Sequence, residues 1–402
     1  MEFRMTVSIH KGITTIENLK GGRPVDISET STLGFVFTAP DADNAKFPMD
    51  EPLALIGGSE LLEGMGETGT GPDIIRQVTK EGTGMKAVAV RVEEGVDFNA
   101  TLANVIGSAG AMTGIHALKH GQSELGLTPR LYLAPGFTSQ RVDGSANPTV
   151  AEFRGIAEKR RGMILADGPN TTKEAAFEYR EDWGSSRIYM IDPGVKVYVN
   201  GQTLVKPASA SVAGITLRVD KEFGVNHSPS NHAFYGITGT ARPIEYYDGD
   251  PDTEADYLTR NQIATIINDG GYRLWGNETC WTEPLNKFFP VMRTHDITMD
   301  SIERAHKTFR DKPFSTQLLV DIAETVNGFQ RILRGRGWTL GGDVWIDPKL
   351  NTKETWLNGD LFVSYDAEAP APLQRLIFQF NRNTGYYAEL AKEAVAEVAR
   401  LS

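Results

Sequence analysis

The sequence predicts a mixed α/β fold, and three observations carry that prediction. Short unbroken apolar runs recur at Leu53–Ile56, Ala87–Val92, Leu131–Leu133, Met163–Leu165 and Ile188–Ile191. Amphipathic stretches, such as Leu102 to Leu118 and Val150 to Arg161, lie between them. Three runs stop at breakers: Pro135-Gly136, Gly168-Pro169 and Pro193-Gly194. Unbroken apolar runs separated by helices read as parallel strands buried on both faces of an α/β layer.

In chain order, residues 1–22 read as an arm. Val7, Ile9, Ile13 and Ile16 give β-branched bulk, and Gly21-Gly22 closes the stretch. A lone strand cannot bury itself. The residues leave open a frayed terminus and a strand donated to another subunit. Residues 23–270 form the α/β region, divisible into 23–95 and 96–270. Near its end Glu245, Asp248, Asp250, Asp252, Glu254 and Asp256 come without a Lys or Arg between Arg242 and Arg260. The segment lacks the order of a calcium loop, so it reads as a solvated loop before a helix. Thr253 and Asp256 have capping-box spacing. The helix expected to follow carries Ile263, Ile266 and Ile267 and stops at Gly270-Gly271.

Residues 271–384 have a different texture and are expected to form a second domain. Aromatics cluster at Trp275, Trp281, Phe288 and Phe289. A helix is predicted over Ser315 to Leu333, with Leu319, Ile322, Val326, Phe329 and Leu333 on one stripe. It leaves through Arg331, Arg334 and Arg336, cations that suit a helix C-terminus. Alternation at Leu361, Val363 and Tyr365, and at Leu376, Phe378 and Phe380, predicts two strands. Residues 385–402 read as a short Ala/Glu-rich helix or arm.

Composition narrows the function. The chain has 402 residues, with 41 Lys+Arg against 52 Asp+Glu and a net charge of −11. That balance argues against a general nucleic-acid binder. One cysteine, Cys280, precludes an internal disulfide framework and suits a reducing compartment. No apolar run approaches the ~18 residues of a membrane span, and residues 1–20 show no apolar leader core. The protein is therefore expected to be made in a cytoplasm, and kept there or released by lysis. Glycine, 41 of 402, exceeds the usual ~7% and implies many turns.

Catalytic motifs are mostly missing. There is no phosphate-binding G-x4-G-K-[ST] and no G-x-S-x-G elbow, and Gly66, Gly69 and Gly71 are not in G-x-G-x-x-G order. His116 and His120 are four apart but lack the Glu of a zinc helix, so a solvent-facing pair is expected. His227 and His232, beside Pro229, invite the same reading. Cys280 reads as a buried small hydrophobe. Asp167 and Asp192 end two apolar runs, where open α/β sheets place ligands, yet each is equally explained as a turn former. No catalytic or metal residues and no cofactor are expected. The orphan terminal segments favour self-assembly.

At Gly271-Tyr272-Arg273-Leu274-Trp275-Gly276-Asn277-Glu278-Thr279-Cys280 the sequence resembles the G-[FY]-R-[LFY]-W-G-N-R-T-C block of contractile-tail sheath proteins of temperate myophages and R-type pyocins. Flanking motifs agree in register. His10-Lys11-Gly12-Ile13 is similar to H-x-G-[VI], and Ser31 to Val36 to S-T-x-x-G-x-V. Asp41-Ala42-Asp43, Pro48 and Leu53 to Ile56 follow D-A-D…P…P-V-L-I. Ala87 to Glu94 is similar to V-x-V-R-V-E, Ser228-Pro229-Ser230-Asn231 to S-P-S-N, Arg293-Thr294 to R-T, and Val326-Asn327 to a helix motif before a Gly-rich turn. The residues carrying the signature are Gly271, Trp275, Gly276, Asn277, Thr279, Arg293 and Thr294. Glu278 departs from the family's Arg, which implies a rewired or absent charge contact. Asn226-His227 replaces a frequent aromatic.

The resemblance implies a structural subunit and not an enzyme. It implies an outer α/β domain with a subtilisin-like sheet, an inner α+β domain and extended terminal arms. It further implies hexameric rings stacked around a tail tube, contraction that drives the tube through an envelope, and baseplate and terminator proteins as partners. Arg331, Arg334 and Arg336 would face the tube, and Val7, Ile9, Ile13 and Ile16 would join neighbouring subunits. The implied setting is a virion or pyocin particle assembled in a bacterial cytoplasm. The rival readings are the sheath of a secretion or injection system, and an α/β hydrolase or nucleotide enzyme using Asp167 or Asp192.

Overall fold

The computed structural model describes Val25, Ile27 and residues 31–401. The predicted arm at residues 1–22, with Val7, Ile9, Ile13, Ile16 and the His10 to Ile13 motif, lies outside the described residues. The chain divides into two units, one extending to Ala371 and one of residues Pro372–Ser402.

The first unit is built on a mixed eight-stranded sheet. The chain passes through β1 (Leu33–Thr38), β2 (Pro52–Gly57), α1 (Gly71–Lys80), β3 (Met85–Val92), α2 (Phe98–Ile106), α3 (Gly121–Leu125) and β4 (Leu131–Leu133). It continues through α4 (Pro148–Arg160), β5 (Met163–Asp167), α5 (Lys173–Glu181) and β6 (Ile188–Ile191). A small insertion follows, β7 (Val195–Val199) and β8 (Gln202–Lys206), then α6 (Ser209–Glu222), β9 (Gly239–Thr240), α7 (Glu254–Arg260), β10 (Ile263–Asn268) and β11 (Tyr272–Trp275). The sheet order is β11-β10-β6-β5-β4-β1-β3-β2. Strands β3, β1, β4, β5, β6 and β10 are parallel. The edges β2 and β11 are antiparallel. The apolar run at Leu53–Ile56 is thus an edge strand, and its neighbours across the sheet are the buried parallel ones.

Period-2 alternation explains the two cores. Leu33, Phe35 and Phe37 pack with Ile74, Ile75 and Val78 of α1 and Val212, Ile215 and Val219 of α6. Val36, Val88 and Val90 face the opposite layer, with Leu102 of α2, Phe153 of α4, Tyr179 of α5 and Leu258 of α7. Each strand contributes to both layers, which is why its sequence runs unbroken rather than alternating.

Local signals hold at several helix starts. The Asn147 side chain caps α4 by accepting from the Val150 amide at 3.0 Å, and Pro148 occupies the first turn. Thr253 accepts from the Asp256 amide at 3.3 Å, as its spacing predicts. The continuation differs from prediction. The helix ends at Arg260, and Ile263, Ile266 and Ile267 belong to β10. A β-branched run of this length fits either element, and pairing with β6 and β11 on both sides selects the strand. The stretch Leu102 to Leu118 is likewise divided. Gly107, in the left-handed region, closes α2, and residues Gly114–His120 form a 3-10 turn.

After β11 come α8 (Phe289–His306), α9 (Thr316–Gly335), β12 (Val344–Trp345), α10 (Lys353–Leu357) and β13 (Ser364–Tyr365). The helix predicted over Ser315 to Leu333 forms as α9, and Ser315 caps it, accepting from the Leu318 amide at 3.1 Å. Val326, Phe329 and Leu333 of its apolar stripe pack with Ile302 of α8 and Val25 in a third, small core. Of the two strands predicted here, only Ser364–Tyr365 forms, paired to Val344–Trp345. Leu376, Phe378 and Phe380 have no regular structure. They lie in the second unit, whose last helix, α11 (Tyr386–Leu401), matches the predicted terminal helix.

Glu81, after α1, gives the fold a pH dependence. It is fully buried, accepts from the amides of Tyr235 and Gly236 at 2.9 and 3.0 Å, and has Arg218 at 3.6 Å. Burial outweighs these contacts and pushes its carboxyl from 4.5 up to about 7. The folded chain then holds a proton that the unfolded chain releases, so stability falls as pH rises from 4.5 to about 7. Glu81→Gln is expected to remove that slope, on the order of 3 kcal/mol across the window. Melting temperature against pH for both proteins checks it; parallel curves would refute it.

Candidate assembly site

The signature block sits where the sheet meets α8. Gly270-Gly271 turns β10 into β11, with the Asp269 amide donating to Gly271 O at 3.0 Å. The outer edge of β11 is covered by the S-P-S-N loop. The Asn231 amide donates to Leu274 O at 2.6 Å, and the Leu274 amide to His232 O at 3.1 Å. Ser230 Oγ accepts from the Gly276 amide at 3.0 Å. Arg273 Nη1 donates to Asn231 O at 3.0 Å. Two motifs about forty residues apart in sequence are therefore one structural joint.

Gly276 requires its lack of a side chain. Its φ is +124°, and an added Cβ would lie 2.9 Å from Ala264 Cα. Its carbonyl accepts from the Tyr189 hydroxyl at 2.6 Å. The Tyr189 ring meets Phe289 at 4.7 Å, and the Arg293 guanidinium lies 5.4 Å over that ring. Trp275 packs edge-on against Tyr246 at 5.5 Å. Asn277 O accepts from the Phe289 amide at 2.9 Å, and Thr279 N and Oγ1 both donate to Lys287 O. Cys280 pairs through its backbone with Ile188 and Ser185. Its thiol is fully buried, and that burial pushes it up to about 12.

Arg293 makes the tightest connection. Its two terminal nitrogens meet Asp220 of α6 at 2.8 and 2.5 Å, with both side chains nearly fully buried. Thr294 Oγ1 donates to Pro290 O at 2.8 Å within α8. One turn on, Asp296 takes both guanidinium nitrogens of Arg187. Glu278, where the sequence departs from the family block, pairs with Lys287 at 2.8 Å.

Sequence reasoning brought Gly276, Asn277, Thr279 and Arg293 to notice, and the fold gathers them around Tyr189 and Phe289. It missed Tyr189, Asp220 and Asp296. Tyr189 sits within an ordinary apolar run, and Asp220 lies in a charged helix end that reads as solvated, so neither carried a signal. Arg331, Arg334 and Arg336 lie elsewhere, exposed at the end of α9. Among the described residues no carboxylate is within ion-pair distance of them.

The candidate catalytic groups are all engaged internally. Asp167 is buried, accepting from Ser209 N and Oγ at 2.8 and 2.6 Å and from Thr138 Oγ1 at 3.2 Å. Burial raises its carboxyl to about 6. Asp192 pairs with Arg242 at 2.5 Å and accepts from the Asn170 amide. Both carboxylates organise the turns after β5 and β6. His116 is buried rather than solvent-facing, within 3.1 Å of Lys119 Nζ and 3.7 Å of Glu152. His227 and His232 lie tilted against the Phe223 ring, with centroids at 5.6 and 5.5 Å.

The second unit offers a different surface. Leu376, Phe378 and Phe380 expose 65%, 86% and 85% of their surface. In α11, Leu390, Val398 and Leu401 are also exposed.

Residues 110–280 match the family described as phage tail sheath protein central domain. A prophage major tail sheath protein of Pseudomonas aeruginosa (strain UCBPP-PA14) is 35% identical over 89% of this chain and 92% of its own. The tail sheath protein of Escherichia phage P2 is 28% identical over 95% and 97%. Among solved structures, the contracted helical sheath of the anti-feeding prophage superimposes with a TM-score of 0.71 at 19% identity. It covers 94% of this chain and all of that one. That likeness shows the fold, and the near full-length identity shows the relationship: this chain belongs to the phage tail sheath protein family.

Proposed function

We propose that the chain is the repeating subunit of a contractile tail sheath, stacked as hexameric rings around a tail tube and repacking to drive the tube through a target envelope. The observation that carries the linking of subunits is the second unit. Exposed large apolar side chains in sequence alternation at Leu376, Phe378 and Phe380 form a strand pattern lacking a sheet. A neighbouring subunit would complete it, with main-chain hydrogen bonds holding subunits together while their other interfaces slide. Residues 1–22, including Val7, Ile9, Ile13 and Ile16, would form the matching arm. Residues 23–270 would be the outer domain, 271–384 the tube-facing one and 385–402 the distal arm. The subunit acts mechanically rather than as an enzyme. It would assemble in the host cytoplasm with tube, baseplate and terminator proteins. Purified protein examined by negative stain is expected to form long hollow cylinders; uniformly monomeric particles would contradict the proposal.

Arg331, Arg334 and Arg336 would meet carboxylates of the tube protein. Exposed ion pairs contribute only about 0–1 kcal/mol each, which suits a contact that holds register and then releases. Reversing all three charges is expected to yield sheaths that no longer seat on tubes in electron micrographs. Normally sheathed tubes would disprove the contact.

A further inference from the structure

At the amino ends of the parallel strands lies a groove of about 730 Å³, bordered by Thr32 before β1, Arg130 before β4 and Arg161 before β5. Its floor is internally balanced. Arg130 meets Asp300 at 2.5 Å, and Arg161 bridges Asp300 and Glu303 at 2.9 and 2.5 Å. Its rim is not. Lys159 and Arg160 at the end of α4, and Arg304 and Lys307 at the end of α8, are exposed. Among the described residues none of the four has a carboxylate within ion-pair distance. Two helix ends explain some basic charge through their dipoles, but not the convergence of both on one groove in a protein of net charge −11.

The complementary surface lies at the opposite edge of the same sheet. The acidic loop of residues 245–252 is tied to the carboxyl edge by Arg242, which pairs with Asp192 beyond β6 and with Glu254. Tyr246 packs edge-on against Trp275, and Ala255 N donates to Glu245 O at 3.1 Å. The loop is thus held in shape, which lowers the ordering cost of binding. It presents Asp248, Asp250 and Asp252 to solvent with no cation in reach among the described residues. Roughly 17–20 Å of strand separates the two edges, so one copy cannot satisfy itself. Two different patches on opposite edges make a head-to-tail contact, which propagates into rings or open helices.

We infer that the acidic loop of one subunit seats in the basic groove of the next. The inference rests on the sheath reading and adds a specific, heterologous contact between copies. Rim ion pairs chiefly set register and reject wrong partners, and they weaken as salt screens them.

The test uses two full-length variants, one with Arg160→Glu, Arg304→Glu and Lys307→Glu, the other with Asp248→Lys, Asp250→Lys and Asp252→Lys. Circular dichroism confirms that both fold. In low salt each variant alone is expected to need at least about tenfold more protein than wild type to form sedimenting polymer. An equimolar mixture is expected to recover polymer, because the reversed loop of one variant matches the reversed groove of the other, and the native loop matches the native groove. Variants that assemble like wild type, or a mixture that stays soluble, would overturn the contact. So would a groove that binds soluble polyphosphate while the loop variant assembles normally. Wild-type protein that never polymerises would count against the sheath reading instead. The contact is then read by mixing Asp250→Cys chains with Arg304→Cys chains, since the native Cys280 is buried. A disulfide-linked dimer in the mixture and in neither protein alone supports the contact, and none refutes it.

Discussion

Replacing Arg293 by methionine is expected to destabilise the subunit by about 3–5 kcal/mol, because it strands the buried carboxylate of Asp220. The pair joins α8 to α6 at 2.5 and 2.8 Å with both side chains almost wholly enclosed. Ser31 Oγ also donates to Asp220 at 2.5 Å, but a neutral hydroxyl does not replace a guanidinium. Replacing both residues, Arg293→Met with Asp220→Leu, is expected to recover most of the loss, since the penalty lies in the unpaired charge. Chemical denaturation of the two variants decides the matter. An R293M protein within about 1 kcal/mol of wild type would mean that water reaches the carboxylate.

Removing residues 372–402 is expected to have the opposite profile. The side chains from Leu373 to Leu401 are exposed, so the truncated subunit should melt within about 0.5 kcal/mol of the full chain. Assembly should fail almost completely. Burying Leu373, Leu376, Ile377, Phe378 and Phe380 on a neighbour would contribute about 1.5–3 kcal/mol each, less about 1–2 kcal/mol per ordered residue. The net gain per subunit is modest, and a sheath multiplies it. Truncated protein that sediments as cylinders like the full chain would show that other surfaces carry the assembly. A truncated chain that unfolds would show that the segment belongs to the subunit's own core.

Much of the architecture was legible because it depends on local physics. Strands buried on both faces must be apolar at every position, so Leu131–Leu133, Met163–Leu165 and Ile188–Ile191 announced themselves. Thr253 marked a helix start because capping is a three-residue interaction. Gly276 and Arg293 stood out by their family context, although their roles in this chain did not. The assembly surfaces were partly legible too. The alternation at Leu376, Phe378 and Phe380 is visible in sequence, but its lack of any sheet partner among the described residues is a fact of the fold.

The sequence by itself determined the α/β class, the order of most elements, the acidic excess and the family, since each rests on residue types and near-neighbour spacing. Tertiary structure alone decided that Ile263 to Ile267 is a strand, because strands on both sides outweigh an ambiguous periodicity. It alone joined Arg293 to Asp220 across 73 residues. It also set a basic groove and an acidic loop at opposite edges of one sheet, an arrangement fixed by the direction in which parallel strands run and by nothing local to either segment.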